Sequence, residues 1–372
     1  MGWIMDYPVD HIDKLLGPML QFDASDIILK VDARPTYRIN KALVPMEEVP
    51  PLTGEAMRAY AEQMMKPEEY RRLLDGNEID LAYNIPGNTR YRVNAFLQRG
   101  NVEVVARCIQ NKIRNFEELH LPPILANLTS VQRGMILMTG TTGSGKSTTL
   151  AALIEHINQN HTRHIVTIED PIEFVYTDKK SIISQREVGI DTLDFKMALK
   201  HMMRQNPDVI LIGEMRDKET VEAAIAAAET GHMVFSTLHT ADAAKTIDRI
   251  MEFYPKAEQD SLRAQLAQFL VAGISQRLVP RADGQGMVPA IELMFSNPII
   301  RKLILENRIV KLKSAIHQGA QEGMQTFDQA LVALHQAGWV TFEAAAERCS
   351  KPSSFKSYLE GYYPDIDAGI LG

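Results

Sequence analysis

The sequence predicts an α/β protein in two parts: a small α+β unit over residues 1–110, then a larger unit built on a parallel sheet. Three observations predict this. After residue 118 short buried apolar runs alternate with helical patterns, the mark of strand–helix–strand crossovers. Before residue 110 apolar and polar residues alternate singly, as in antiparallel hairpins. Between them, residues 111–117 follow neither period and read as a linker. The 372 residues agree with a prior of about two to three domains at roughly 150 residues each.

The elements follow in order. Residues 8–20 put Val9, Ile12, Leu15, Leu16 and Met19 on one stripe and read as an amphipathic helix. Strand-like pieces come next, Asp26–Lys30 and, after Pro35, Thr36–Asn40. Thr53–Met65 reads as a helix. Pro67 opens another, Glu68–Leu74, which Asp75-Gly76 stops. Ile79–Asn84 and Arg90–Leu97 alternate around Pro86-Gly87 as a hairpin does, and Val102–Cys108 adds a strand. In the larger unit, Gly134–Thr139, His164–Glu169, Val209–Ile212 and Val234–Leu238 are strand runs. The intervening helices are Ser147–Asn158, Phe195–Met203 and the Ala-rich Lys218–Thr230, closed by Gly231. From about residue 242 helical patterns dominate, so residues 118–350 form a sheet domain with a helical C-terminal part. Residues 351–372, rich in Tyr, Gly and Asp, read as an exposed flexible tail.

Composition excludes several classes. Hydrophobic residues are 45% and charged residues 23%, which is too apolar for a disordered chain. No run of about 18 apolar residues exists, so no membrane insertion is expected. The N-terminus carries acids where a secretory signal needs Lys or Arg. Its MG start lacks the Ser or Thr of a myristoylation prefix, since position 6 is Asp. The net charge of −7 argues against a passive nucleic-acid coat. Cys108 and Cys349 stand far apart and outside any C-x-x-C pair, which excludes a cysteine zinc site and a disulfide framework. The expectation is a cytoplasmic protein with no nucleic-acid partner.

The strongest local signal is Gly140-Thr141-Thr142-Gly143-Ser144-Gly145-Lys146-Ser147, followed by Thr148. It matches G-x-x-x-x-G-K-[S/T] in full, between a strand and a helix, as a phosphate-binding loop requires. Glycines let backbone N–H groups close around phosphate oxygens, and the helix start adds positive potential. Lys146 can reach the β- and γ-phosphates, and the Ser147 hydroxyl can ligate Mg²⁺. No N-K-x-D quartet for guanine is present, since Asn111-Lys112 continues as Ile-Arg; ATP is favoured.

Nucleotide hydrolysis needs one carboxylate for the metal shell and another to orient or deprotonate water. Two strands end in acidic clusters, Glu169-Asp170-Pro171-Ile172-Glu173 and Gly213-Glu214-Met215-Arg216-Asp217. Glu214 follows four apolar residues and is assigned to the metal-bound water shell. Glu173 is the choice for the water-activating base, with Glu169 as competitor; spacing alone leaves both open. His232 and His239 bracket the fourth strand, where an imidazole can sense a γ-phosphate or simply pack. Arg90, Arg92, Arg99 and Arg107 lie on or beside strands of the first unit. They form either a solvated face or arginine fingers toward a neighbouring subunit's nucleotide.

Beyond the loop, the segments TIEDPIEFV, SQREVGIDT, RQNPDVILIGEMRD, AAETGHMVFSTLHT and AAKTIDRI follow one another. Together they resemble the secretion-type ATPases of type IV pili and type II secretion, over roughly residues 20–345. ASDIIL and RYRVNAF are similar to segments of the pilus retraction motors of the PilT/PilU group. The opening residues and the extended C-terminus look most like the accessory PilU branch. Assembly ATPases carry a tetracysteine zinc element, which two cysteines cannot build. The resemblance implies a hexameric ring of subunits, each with a PAS-like N-terminal domain and a RecA-like P-loop ATPase domain. It implies ATP hydrolysis with Mg²⁺ and work on pilus retraction and twitching motility. The implied partners are the main retraction ATPase and an inner-membrane platform protein, which would hold the chain peripherally at the membrane. By motif, Lys146 and Ser147 take Walker A roles, Glu173 and Glu214 the two glutamate roles, and His232 and His239 the His-box positions. Arg92 and Arg107 fall on the two arginines that reach phosphate; Arg90 and Arg99 stay unassigned. Ile27-Ile28 replaces the usual Leu-His, and Asn40-Lys41 stands where Asp-Gly is common. Ile299–Glu306 departs at two positions from an element tied to retraction itself, so retraction by this chain alone stays open. The rival readings are a nucleotide-gated scaffold acting only with a second motor, and a RecA-type nucleic-acid translocase. The net charge and the lack of a basic, aromatic stripe weigh against the second.

Overall fold

A computed structural model of the chain describes residues 10–39, 42–86, 89–109, 112–364 and 366. Pro8, Val9, Asn40, Lys41, Gly87, Asn111 and the last residues of the tail lie outside these. The chain divides into two compact units. One runs to Lys112 and includes Ile172–Val175; the other holds Ile113–Pro171 and the chain from Tyr176.

The first unit contains, in order, α1 (Asp13–Leu16), β1 (Ala24–Leu29), β2 (Thr36–Ile39), β3 (Ala42–Pro45), α2 (Gly54–Met64), α3 (Pro67–Leu74), β4 (Ile79–Asn84), β5 (Arg90–Gln98) and β6 (Asn101–Cys108). Its strands form one antiparallel sheet in the order β3-β2-β1-β6-β5-β4. Burial has period two along β6: Val102, Val104 and Ala106 are buried, while Asn101 and Arg107 are exposed. The buried face packs with Tyr37, Met57, Tyr60, Leu73 and Tyr91. The first helix is shorter than its apolar stripe predicts. It stops at Leu16, and a 3₁₀ turn Gly17–Leu20 follows, because Pro18 has no N–H to extend the α-helical ladder. Hydroxyls take the freed carbonyls: Tyr37 donates to Leu15 O at 2.6 Å and Tyr91 to Leu16 O at 2.9 Å. β3 has no counterpart among the sequence-predicted elements. All four of its residues are exposed, so no burial pattern marks it.

The second unit contains α4 (Leu125–Leu128), β7 (Gly134–Thr139), α5 (Lys146–Asn160), β8 (His164–Glu169), β9 (Ile182–Glu187), α6 (Phe195–Met202), β10 (Val209–Ile212), α7 (Lys218–Glu229), β11 (Met233–Leu238), α8 (Ala243–Glu252), α9 (Gln259–Phe269), β12 (Leu270–Pro280), β13 (Met287–Phe295) and α10 (Pro298–Leu305). Then come α11 (Leu312–Gln318), α12 (Phe327–Gln336), α13 (Phe342–Arg348) and α14 (Phe355–Leu359). The sheet order is β13-β12-β7-β11-β10-β8-β9. Every neighbouring pair is parallel except β12 with β13. Alternate residues of β7 serve opposite faces: Met135 and Leu137 join one core, Ile136 and Met138 the other. With both faces covered, β7, β10 and β11 are buried along their whole length, which is why they read as unbroken apolar runs. Asp194, Asp217 and Asp242 cap α6, α7 and α8 by accepting the N–H three residues on, each cap worth about 1 kcal/mol.

Two expectations are corrected. Helices do not dominate everything after residue 242, since β12 and β13 are long strands there. The middle of β12 carries Ser275 and Gln276, polar yet 1% and 2% exposed, because they bond to groups on and beside the loop after β7. That tertiary contact breaks the apolar run by which a buried strand is recognised. The tail from 351 is packed over its first part: α14 brings Phe355 and Tyr358, 0% and 1% exposed, into a cluster with Val279, Val288, Phe327 and Leu331. Phe355→Ala is expected to cost about 3 kcal/mol. For a unit of this size that lowers the melting temperature by roughly 6 °C or more. A shift under a degree in thermal unfolding would show that the segment does not pack. No helix among the described residues is long and apolar enough to cross a membrane.

Candidate nucleotide site

β7 ends at Thr139 and α5 starts at Lys146, with Gly145 as its N-cap at φ 84°. A Cβ on Gly145 would lie 2.7 Å from the Gln276 amide nitrogen, and one on Gly140 2.6 Å from the Gln276 carbonyl oxygen. Both positions therefore require glycine. Lys146 is 8% exposed, and its Nζ donates to Gly140 O at 2.7 Å and Thr141 O at 3.1 Å. The ammonium thus lies inside the curl of the loop, with the N–H groups at the start of α5. Ser147 and Thr148 on that first turn are half-buried. The Ser144 hydroxyl is buried without a hydrogen-bond partner. A loop with a buried cation, glycine-permitted curvature and an orphaned hydroxyl is built for an anion with several oxygens.

β12 backs this loop. Thr139 Oγ1 donates to Ser275 Oγ at 2.8 Å, Thr149 Oγ1 to Gln276 Oε1 at 2.7 Å, and Gln276 Nε2 to Ser144 O at 2.8 Å. A cavity of about 360 Å³ adjoins Gly145 and Thr148, with Leu119, His120, Leu278 and Met287 among its walls. It is large enough for a planar heterocycle next to the phosphate loop.

Parallel pairing brings four strand ends to one edge of the sheet. Leu238 lies beside Thr139, and Ile212 beside both Ser236 and Ile168. Glu169, Glu214 and His239 therefore share an edge with the phosphate loop, where open α/β sheets place their ligands. Glu214 Oε2 accepts from Arg216 Nε at 2.8 Å, and Arg216 also donates to Asp170 Oδ2 at 3.1 Å. Hydrogen bonding to Glu214 raises the Arg216 pKa further, so this clamp stays charged. His239 Nε2 is 3.5 Å from Glu214 Oε1. The turn carrying Glu214 is fixed to β11: Thr237 Oγ1 donates to Gly213 O at 2.7 Å and Met215 N to Thr237 O at 3.0 Å. Glu169 Oε1 accepts from Thr167 Oγ1 at 2.7 Å and from Gln185 Nε2 at 3.3 Å. Glu173 is exposed and falls in the segment grouped with the first unit. Asp217 is the cap of α7.

His232 is placed elsewhere. It precedes β11, at the opposite sheet edge, so the strand separates it from His239 by roughly 20 Å at about 3.3 Å per residue. Its Nδ1 lies 3.0 Å from Ala227 O and 3.1 Å from Thr230 Oγ1, at the end of α7.

In the first unit, Arg92 and Arg107 are direct cross-strand partners on β5 and β6. Arg107 Nε donates to Asp26 Oδ1 at 2.8 Å, and Arg38 Nε lies 3.4 Å from Asp26 Oδ2. The row across the sheet is thus Arg38, Asp26, Arg107, Arg92. Asp26 is 6% exposed, whereas the Arg107 side chain is 68% exposed, tethered at Nε with its tip in solvent. Arg99 holds φ 51° in the turn between β5 and β6 and is a turn residue. Sequence reasoning passed over Gln276, Thr149, Asp26, Arg38 and Arg216. Arg216 and Asp26 sit inside GEMRD and ASDIIL, where pairing of opposite charges is the available signal. Gln276 carries no local signal.

The Type II/IV secretion system protein family matches residues 7–338 of the chain. The chain is 42% identical to the type IV pilus retraction ATPase PilT of Pseudomonas aeruginosa, over 92% of this chain and 99% of that one. It is 40% identical to the type IV pilus ATPase PilU of the same organism, over 96% and 94%. These two identities do not separate the branches. The crystal structure of the pilus retraction motor PilT with bound ADP superposes with a TM-score of 0.84 at 41% identity, covering 93% of this chain and 99% of that one. On its phosphate loop, its sheet order and these similarities, the chain belongs to the Type II/IV secretion system protein family, among the RecA-like P-loop ATPases.

Proposed function

We propose that the chain is the ATP-hydrolysing subunit of a homo-hexameric motor that powers or assists type IV pilus retraction and twitching motility. The observation that carries this reading is the meeting of the phosphate loop, Glu214 and His239 at one sheet edge, in a chain 42% identical to a pilus retraction ATPase. Lys146 binds the β- and γ-phosphates, and the first turn of α5 holds their oxygens with Gly140 to Thr148. The base enters the cavity beside Gly145. The donors at hand, the Ser147 hydroxyl and the Glu214 carboxylate, are hard oxygens, and among the described residues no cluster of three metal-ligating side chains exists. That set fits Mg²⁺, which takes one or two protein oxygens and completes its shell with phosphates and water. When bound, Mg²⁺ neutralises charge on the phosphates. Glu214 would help hold that ion from its shell of water. Glu173 is the water-activating base, because Glu169 already accepts from Thr167 and Gln185 whereas Glu173 is exposed. His239 reads the γ-phosphate and passes its presence to Glu214. His232 caps α7. Arg92 and Arg107 reach the nucleotide of a neighbouring subunit. The platform protein and the main retraction ATPase are partners that bring the ring to the membrane.

Steady-state phosphate release by the purified chain tests the reading. ATP turnover is expected, unaffected by added DNA, with GTP turned over at least tenfold less efficiently. In cells, loss of the chain is expected to weaken retraction, measured with and without the main motor. Absent turnover with weakened retraction would favour a scaffold; DNA-stimulated turnover would favour a translocase.

A further inference from the structure

Gln276 lies in the middle of β12, 132 residues from the loop it touches, and is 2% exposed. Both ends of its carboxamide are used: Oε1 accepts from Thr149 and Nε2 donates to Ser144 O. Its own carbonyl oxygen sits 2.6 Å from where a Cβ of Gly140 would stand. One residue of a neighbouring strand therefore meets the loop at its start, near its end, and on the first turn of the helix that follows.

We propose that Gln276 is a positioning residue of the phosphate loop, setting the orientation of the Ser144–Gly145 peptide and through it the affinity for the nucleotide's phosphates. This rests on reading the loop as the nucleotide site. In a trans peptide the C=O and the following N–H point in opposite directions. Holding the Ser144 carbonyl toward β12 turns the Gly145 N–H away from β12, free to donate to a phosphate. Without that hold the peptide can flip, since Gly145 carries no side chain to resist rotation. A flip would present a carbonyl oxygen to the phosphate in place of an N–H. The bond from Thr149 keeps the amide from turning end for end, because it gives Oε1 its donor and leaves Nε2 for Ser144 O. Glutamate in this position would keep the acceptor for Thr149, lose the donor to Ser144, and add a negative charge beside the phosphates.

The test uses the full chain, a fluorescent ADP analogue for affinity, and ATP turnover for kcat and KM. Gln276→Leu is expected to raise the dissociation constant for the analogue and the KM for ATP about tenfold, with kcat changed less than threefold. Gln276→Glu, near-isosteric, is expected to shift the same quantities in the same direction. It answers the question if the leucine variant does not fold. Thr149→Val should weaken affinity by a smaller factor, and the Gln276→Leu/Thr149→Val pair should be no weaker than Gln276→Leu alone. A merely structural glutamine would lower the melting temperature and leave affinity and KM within twofold; that result overturns the proposal. Lys146→Ala measured alongside separates the two readings. If it abolishes binding while Gln276 variants bind normally, only this proposal fails. If it also binds normally, the loop is not the nucleotide site.

Discussion

Lys146→Ala should lower ATP turnover by at least about a hundredfold, the loss seen when one preorganised charge or donor is taken from a transition state. The structural ground is specific. The ammonium is buried within the loop and donates to the carbonyls of Gly140 and Thr141. If the loop holds a nucleotide, the ammonium would exchange these two neutral acceptors for phosphate oxygens, a stronger charge-assisted pairing. Alanine leaves Gly140 O without this donor, at about 1 kcal/mol, while Thr141 O keeps the Ser144 N–H at 3.1 Å. A modest fall in thermal stability should accompany the loss. The measurement is phosphate release beside a melting curve. Turnover within threefold of the parent, with the fold intact, would remove the site from this loop.

The second large effect concerns the arginines. Arg107→Ala and Arg92→Ala should each lower kcat by about a thousandfold, the lower end of arginine-finger effects. If they act across a subunit boundary, complementation follows from arithmetic. A working site needs Glu214 from its own subunit and Arg107 from the next. In a ring assembled at random from equal amounts of Arg107→Ala and Glu214→Ala subunits, about a quarter of sites pair an intact Glu214 with an intact Arg107. Turnover should recover toward that fraction, from two preparations that are each inactive. No recovery at any mixing ratio would place the arginines in their own subunit's chemistry or outside chemistry altogether. Asp26 explains why the arginine, once delivered, would be in position: it binds Arg107 at Nε and leaves the two terminal nitrogens for phosphate.

Much of this was legible in the residues, for identifiable reasons. The phosphate loop has a local pattern because its demands are local: glycine where a side chain has no room, lysine at the helix start. The buried strands β7, β10 and β11 show as apolar runs because both their faces are covered. The acidic clusters could be placed because parallel strands end at one edge. β12 was missed because its polar pair, Ser275 and Gln276, is buried by partners far away in sequence. His232 and His239 bracket β11, so the pattern already puts them at opposite ends of the strand, but it does not show that His232 lies against the end of α7. Spacing left Glu169 and Glu173 both open, and the partners of Glu169 that bear on the choice include Gln185 from another strand. The shortened first helix was readable in Pro18, and the apolar stripe outweighed it.

The packing of α14 alters how C-terminal truncations must be interpreted. A docking peptide can be cut away with no effect on the body it hangs from; this segment cannot, at least through Tyr358. Removing it would uncover Val279 and Val288 on the β12–β13 hairpin. That is the hairpin whose other residues back the phosphate loop. A deletion beginning at residue 351 that lost both partner binding and ATP turnover would be uninformative about partners. Cuts placed beyond Tyr363, whose ring still stacks on Tyr358 at 5.0 Å, are the ones that can separate recruitment from integrity.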